Sequence, residues 1–343
     1  MRRTYAVGHT ALAMGMILGL GAARAQGTGS ATLDAVRARG QLVCGVTGGV
    51  AGFSLADSKG VIRGLDADEC RAVAAVTLGD ATKLRFVPLD TTNRFTALQS
   101  GEIDVLIRQT TWTLGREGNL GLEFADVNFY DGTGFLVKTA AGVKSAKELD
   151  SATVCIQPGT STELAVSDYF RNNKIKFTPV AIQNVNEIQS AFLSGRCDAY
   201  STDSSALAGF RFNQGDKATD LILLPDIISK EPLGPMVRKG DDKWLDIVKW
   251  THFALLTAEE AGVTSSNVDS FANTADPGLR RLLGLEGEMG KALGVDNKWA
   301  FNAVKQVGNF GEVWDRNITV LGVSRGINNL WNKGGLQYAP PIR

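Results

Sequence analysis

The chain has very little histidine. Of its 343 residues only two are histidines, His9 and His252. A Ser-His-Asp or Cys-His arrangement would have to use His252, which lies in the run LDIVKWTHFALLTAEEAG, where apolar residues recur at helical spacing. A packed or capping histidine is the expected role there. The sequence therefore argues against a hydrolytic triad and against a zinc site built from imidazoles.

An excess of positive charge is also missing. The 36 Lys and Arg residues are balanced by 36 Asp and Glu residues, and the sequence contains no basic stripe. A near-neutral chain of this kind is not expected to have nucleic acid as its partner.

Long apolar runs are absent after the N-terminus. Residues 1–25, MRRTYAVGHTALAMGMILGLGAARA, join a basic start to an apolar stretch and a small-residue ending. This pattern predicts a secretory signal peptide cleaved before Gln26, and the stretch is too short for a membrane-spanning helix. The remaining 318 residues, with 33 basic and 36 acidic side chains, are expected to form a soluble exported protein of two domains.

The four cysteines are not arranged in CxxC pairs. Cys44, Cys70, Cys155 and Cys197 therefore favour disulfides over a zinc site, in keeping with export. Three connectivities are possible, and pairing Cys44 with Cys70 and Cys155 with Cys197 requires the shortest closures. Four buried free thiols are the alternative. No metal or other cofactor is expected.

Strands and helices alternate along the first part of the chain. Residues 41–48, 83–89 and 102–109 read as strands, and residues 64–79 and 92–101 read as helices. This alternation predicts a parallel, doubly wound α/β sheet. Such sheets bind ligands beyond the carboxyl ends of their strands.

The pattern repeats further along. Residues 152–159, 176–182 and 196–203 read as strands, and residues 160–173 as a helix. ALQSGEIDVLIRQ (97–109) and AFLSGRCDAYSTD (191–203) align without a gap, which places Gln109 opposite Asp203. Two similar α/β lobes with a ligand cleft between them are predicted.

Two crossings between these lobes are expected to act as a hinge. The chain is expected to enter the second lobe after NFYDGTGFLVKTAAGVKSAKEL and to return near SKEPLGPMVRKGDD, where prolines mark extended backbone. The predicted division is a first lobe of residues 26–134 and 235–343 and a second lobe of residues 135–234. The helix-rich sequence from Asp241 onward is expected to pack on the first lobe.

Several segments together resemble the periplasmic solute-binding proteins of polar amino acid ABC transporters, most closely the general L-amino-acid-binding type. The segments are DSKGVIRGLDADECRAVA, TTWTLGRE, VCIQPGTSTELAV, GRCDAYSTDSSALAGF and NFGEVWDRN. The resemblance implies a type II two-lobed binding-protein fold, a periplasmic location, an L-amino acid ligand, a membrane permease as partner and a monomer without enzymatic activity. An exported dehydratase of the cyclohexadienyl type, and a receptor for a sensor or chemotaxis partner, are the alternatives.

An amino acid carries an α-carboxylate and an α-ammonium, so its receptor needs a fixed cation, hydrogen-bond donors and a fixed anion. Arg116 follows Thr111 by five residues, just after the third strand, and a guanidinium can bind a carboxylate through two hydrogen bonds. The resemblance assigns this role to Arg116, with Thr111 and Gln109 as partners. Arg108, inside the end of the strand, is the competing arginine.

The second lobe is expected to supply the remaining contacts. Gln157 and Ser161 match the family's contacts where a strand turns into a helix, although ordinary capping by Thr160 or Ser161 is an alternative. Asp203 is expected to receive the ammonium, with capping of the following helix as its alternative.

Selectivity is predicted to be broad. The loop after the first strand reads TGGVAGF and has Val50 where narrow-specificity relatives place an aromatic residue. Small residues leave room for different side chains without selecting one.

Overall fold

The computed structural model describes Met1, Thr4 and residues 27–343. The predicted signal peptide, residues 1–25, therefore lies almost entirely outside the described residues. Within the described part, no helix combines the length and the apolar character needed to span a bilayer.

The chain first builds most of one lobe. Its helices here are α1 (Ala31–Arg39), α2 (Leu65–Leu78), α3 (Arg94–Ser100) and α4 (Leu114–Asn119). Its strands are β1 (Leu42–Val46), β2 (Gly49–Val50), β3 (Ser54–Ala56), β4 (Ile62–Arg63), β5 (Leu84–Pro88), β6 (Val105–Leu106), β7 (Leu122–Phe124) and β8 (Phe129–Asp131).

A second lobe follows. Its strands are β9 (Thr133–Lys138), β10 (Ala152–Ile156), β11 (Phe177–Ala181), β12 (Ala199–Asp203) and β13 (Leu221–Leu223). Its helices are α5 (Ser161–Asn172), α6 (Val185–Leu193) and α7 (Ser204–Phe212).

The chain then returns to the first lobe. The crossing strand is β14 (Glu231–Leu233). The part that follows it has the strand β15 (Met236–Arg238) and the helices α8 (Asp242–Glu260), α9 (Pro277–Leu282), α10 (Met289–Leu293), α11 (Trp299–Val307) and α12 (Phe310–Asn317). Residues of α8, α11 and α12 share one apolar core with α2 and β1. The helical tail therefore packs on the first lobe, as predicted.

Each lobe contains a mixed five-stranded sheet. The first has the strand order β5-β1-β6-β15-β7, and the second has the order β11-β10-β12-β9-β13. The sheets are doubly wound as predicted, but the expected parallel order has one exception in each sheet, because β15 and β9 run antiparallel to their neighbours. Both strands come directly after a crossing, and a chain that enters a sheet from the other lobe arrives from the cleft edge and runs in the opposite direction.

The two crossings lie side by side. β8 and β14 form an antiparallel pair in which Asp131 lies opposite Glu231. The pair is a separate two-stranded sheet between the two large ones. Both covalent connections between the lobes run through this hydrogen-bonded pair.

A disulfide lies in each lobe. Cys44 of β1 is joined to Cys70 of α2, and Cys155 of β10 is joined to Cys197, just before β12. Among the described residues no free cysteine remains. Each bond ties a strand of the five-stranded sheet to a neighbouring segment of the same lobe.

The repeated helix-glycine-strand unit has the same geometry in both lobes. Gly101 and Gly195 have φ values of 79° and 83°, a left-handed conformation that glycine adopts without steric cost. Their N–H groups donate to Leu98 and Phe192, which are equivalent residues of the two repeats. β6 and β12 follow these turns and bring their carboxyl ends to the same cleft.

Candidate functional site

A cleft between the lobes brings the six predicted site residues together. It contains about 520 Å³ of empty space, part of it open to solvent. Its walls include Gln109, Thr111, Arg116, Gln157, Ser161 and Asp203. These residues lie at or beyond the carboxyl ends of β6, β10 and β12, as the parallel parts of the sheets require.

Gln109 stands at a distorted position just after β6. Its φ is 41°, which is uncommon for a residue other than glycine, and this turn ends the strand earlier than the predicted limit at 109. Its N–H donates to Asp66 Oδ2 at 3.2 Å, and its side-chain Nε2 is buried without a hydrogen-bond partner among the described residues. The strained backbone thus presents an unused amide donor to the cleft.

A carboxylate of the crossing strand links the two walls. Glu231 Oε2 accepts hydrogen bonds from the hydroxyls of Thr111, at 2.6 Å, and Ser161, at 2.7 Å. These hydroxyl oxygens, from opposite lobes, are 3.0 Å apart. A second contact across the cleft joins the Gln183 amide to the Thr92 hydroxyl. The lobes are therefore closed against each other in this structure.

Arg116 is one of the cations of the first wall. Its Nη1 donates to the Thr111 carbonyl at 2.8 Å, and its Cζ lies 5.4 Å from the centre of the Phe95 ring. Burial lowers the pKa of Arg116, and the carboxylates of Glu231 and Asp203 oppose that shift. The Thr111 carbonyl therefore holds one N–H group of the guanidinium, and the remaining N–H groups are available to bind an anion.

The second wall is built where β10 turns into α5. Thr160 caps the helix by accepting from the Glu163 N–H at 3.1 Å, so the capping alternative applies to Thr160. Ser161 is thereby left to bind Glu231. The Gln157 amide donates to the Gln183 carbonyl at 2.8 Å, and its position next to the cleft is set by this bond.

Asp203 ends β12 and is 8% exposed. It occupies the N-cap position of α7, but its side chain makes no capping hydrogen bond. Burial raises its pKa well above the usual carboxyl range, the nearby Asp131 and Glu231 raise it further, and Arg116 and Arg94 oppose the shift. The carboxylate is free to receive a cation, which would lower its pKa again.

Sequence reasoning missed several residues of this site. Arg94, Thr47 and Thr91 line the cleft, and each has a buried polar side-chain atom without a hydrogen-bond partner in the described part of the chain. Thr47 and Thr91 lie just beyond the ends of β1 and β5, so the strand-end rule that selected Gln109 also selects them. Arg94 begins a helix and gave no such signal.

Arg108, the competing arginine, also reaches the cleft. Its Nε donates to the Leu89 carbonyl at 2.8 Å, and the residue is 5% exposed. Burial lowers its pKa to about 10, an effect that the negative charges of Asp90 and Asp66 oppose. Unlike Arg116, it lies near two acidic side chains of its own lobe.

No group of three or more histidine, cysteine and acidic side chains in residues 27–343 is arranged to hold a metal ion. The first wall of the cleft carries cationic and amide donors, and the second wall carries the buried carboxylate of Asp203.

Residues 42–262 match the bacterial extracellular solute-binding proteins, family 3. The chain belongs to this family. It is 49% identical over 332 residues to the general L-amino acid-binding periplasmic protein AapJ of Rhizobium johnstonii, covering 95% of this chain and 96% of the relative. It is 52% identical over 327 residues to the glutamate/glutamine/aspartate/asparagine-binding protein BztA of Rhodobacter capsulatus, covering 94% and 96%.

A solved structure has the same architecture. The ABC transporter periplasmic binding protein from Brucella ovis with glutathione bound superposes with a TM-score of 0.88, at 50% identity, over 91% of this chain and 99% of that one. The predicted family and the predicted type II fold are confirmed. The relatives named here are binding proteins, and their similarity to this chain does not favour the dehydratase alternative.

Proposed function

We propose that this solute-binding protein holds L-amino acids in the cleft between its lobes and delivers them to the permease of an ABC transporter. Solute binding, rather than catalysis, is the role of its family. AapJ and BztA, which resemble the chain over nearly its whole length, carry amino-acid binding in their names.

One observation supports a polar ligand in this cleft. The described residues contain six buried side-chain polar atoms without a hydrogen-bond partner, and four of them, in Thr47, Thr91, Arg94 and Gln109, belong to the cleft wall. Such groups are rare in folded proteins because each costs about 1–3 kcal/mol. A polar ligand that supplies their partners recovers this cost.

The roles follow from charge. Arg116 binds the α-carboxylate, and Asp203 binds the α-ammonium from the other lobe. Gln109, Thr111, Gln157 and Ser161 position the ligand between these two charges. Since Arg116 and Asp203 lie on different lobes, a zwitterionic ligand can bind both only when the lobes are close together. It therefore favours the closed form over an open one.

The lobe boundaries remain part of the proposal, with residues 26–134 and 235–343 in the first lobe and 135–234 in the second. The paired crossings, β8 and β14, lie next to both boundaries and are where a hinge rotation would take place. The protein is proposed to be a periplasmic monomer, exported by the signal sequence at residues 1–25, whose closed form the permease recognises.

Broad selectivity is proposed as well. Val50, in the short strand β2 that follows β1, is a small wall residue. AapJ is named for general L-amino acid binding, BztA for four acidic and amide amino acids, and the Brucella ovis structure contains glutathione.

A thermal-shift screen of the mature protein tests the proposal. A ligand that binds only the native state raises the unfolding midpoint with concentration. Midpoint increases with several L-amino acids but not with their D-enantiomers are expected, with glutathione screened beside them. Should no L-amino acid raise the midpoint at millimolar concentration, the proposed function is wrong.

A further inference from the structure

Arg94, the first residue of α3, is a buried cation that forms no salt bridge within residues 27–343. It is 2% exposed and lines the cleft. Its Nε has no hydrogen-bond partner among the described residues. Burial lowers its pKa well below the usual arginine range, and the positive charges of Arg108 and Arg116 lower it further, while Asp203 opposes the shift.

Other enclosed arginines of this chain are compensated. Arg325 makes two hydrogen bonds to Glu259, at 2.6 and 2.7 Å. Arg238 donates to the carbonyls of Leu98 and Ile103 at 2.9 and 2.7 Å. Burying a guanidinium without such partners is strongly unfavourable, so the position of Arg94 indicates a partner that the protein itself does not provide.

The charges of a simple amino acid do not satisfy Arg94. The α-ammonium balances Asp203 and the α-carboxylate balances Arg116, which leaves Arg94 with only like charges from Arg108 and Arg116 around it. A second ligand carboxylate would complete the balance, through the paired hydrogen bonds that guanidinium forms with carboxylate.

The spacing of the two guanidinium groups suits a single small ligand. The Cζ atom of Arg94 is 4.7 Å, and that of Arg116 is 5.4 Å, from the centre of the Phe95 ring. The two carbons are therefore no more than about 10 Å apart. Two carboxylates joined by a short aliphatic chain can each reach one guanidinium when hydrogen-bond lengths are added at both ends.

We propose that Arg94 is a second carboxylate receptor of the cleft and makes L-amino acids with a carboxylate side chain the preferred ligands. The proposal rests on the proposed amino-acid binding and narrows it. Other L-amino acids still bind through Arg116 and Asp203, but they leave the Arg94 guanidinium without a partner.

Calorimetric titration with L-glutamate and L-glutamine tests the proposal, because the two ligands have the same shape and differ in side-chain charge. The wild-type protein should bind glutamate at least tenfold more tightly than glutamine. In Arg94→Gln the glutamate affinity should fall by a factor of thirty or more, while the glutamine affinity changes less than threefold. The matched control is Arg85→Gln, an exposed arginine of β5 in the same lobe, which should keep the wild-type ratio.

The outcomes separate the two proposals. An equal loss for both ligands in Arg94→Gln would overturn the inference, since Arg94 would then act on the α-carboxylate. A wild-type preference for glutamine would overturn it without any variant, and this measurement holds even if Arg94→Gln does not fold. If neither ligand nor any other amino acid binds the wild type, the proposed function itself fails.

Discussion

Replacing the Asp203 carboxylate should lower ligand affinity without lowering the stability of the free protein. Asp203→Asn keeps the side-chain shape and removes the charge. Asp203 is nearly buried, and its side chain does not cap α7. The substitution therefore leaves that helix end unchanged and removes only the proposed partner of the ligand ammonium.

The expected loss follows from the burial of that ammonium. Truncating one partner of a buried charge pair costs about 2–5 kcal/mol, which corresponds to about thirtyfold to several thousandfold in Kd. The lower half of this range is expected for Asp203. Burial and the neighbouring Asp131 and Glu231 raise its pKa in the free protein, so part of the attraction is spent in ionising the carboxyl group.

Repulsion of Asp203 by Asp131 and Glu231 also predicts how the substitution changes the stability of the ligand-free protein. Asn at this position is not repelled by Asp131 or Glu231, so the unfolding midpoint of the ligand-free variant should equal or exceed that of the wild type. Titration calorimetry with the best ligand from the screen, and thermal unfolding without ligand, measure the two effects. Asp220→Asn, an exposed position of the second lobe, is the control. A Kd within threefold of wild type would refute the role of Asp203.

Three further perturbations test the hinge, the titration of a buried carboxyl group and the disulfides. Glu231→Gln leaves one side-chain oxygen as acceptor, so the closed form should lose about 1–2 kcal/mol of stability. Weaker ligand binding and a larger radius of gyration of the ligand-bound protein in small-angle scattering are expected. Unchanged scattering would contradict this. Burial raises the pKa of Asp66 to about 8. The folded protein therefore binds more protons than the unfolded chain between about pH 4 and pH 8, and its free energy of unfolding should fall by up to about 1.4 kcal/mol per pH unit there. Asp66→Asn should flatten this decline in urea titrations, and an unaltered slope would refute the shift. Cys155→Ala/Cys197→Ala opens a loop of 42 residues and should cost up to about 4 kcal/mol of stability by chain entropy, whereas an unchanged urea midpoint would show that the bond does not stabilise the lobe.

The sequence was most informative where local chemistry determines local structure. The Ser-Gly pair at the end of each repeated helix predicts a turn with a left-handed residue, and Gly101 and Gly195 adopt that conformation. The alternation of strands and helices then predicts which strand ends meet, because parallel strands share one edge. These two rules were sufficient to bring Gln109 and Asp203, far apart in sequence, to one cleft.

Features that depend on the meeting of the lobes were beyond sequence reasoning. Arg94 lies in the run TNRFTALQSG, where a charged residue at the start of a short helix is normally solvated, whereas in the structure it is buried on the cleft wall. The sequence around Glu231 indicates only extended backbone and a hinge, because a proline follows it. The role of its carboxylate depends on Thr111 and Ser161, which the fold brings to it from distant parts of the chain.

That arrangement also changes how the hydroxyl groups of the cleft can act. Thr111 and Ser161 each have a single hydroxyl hydrogen, and both donate to Glu231 in the closed form. Toward a ligand they therefore present lone pairs, which suit an ammonium group and repel a carboxylate. In the proposed binding mode, the α-carboxylate is therefore recognised by the Arg116 guanidinium and by the first backbone N–H groups of α5, which have no partner within the helix. Thr111→Val should therefore weaken binding mainly by loosening closure through the loss of the bond to Glu231. The affinity for a carboxylate-blocked amino acid amide should then fall by the same factor as that for the free acid.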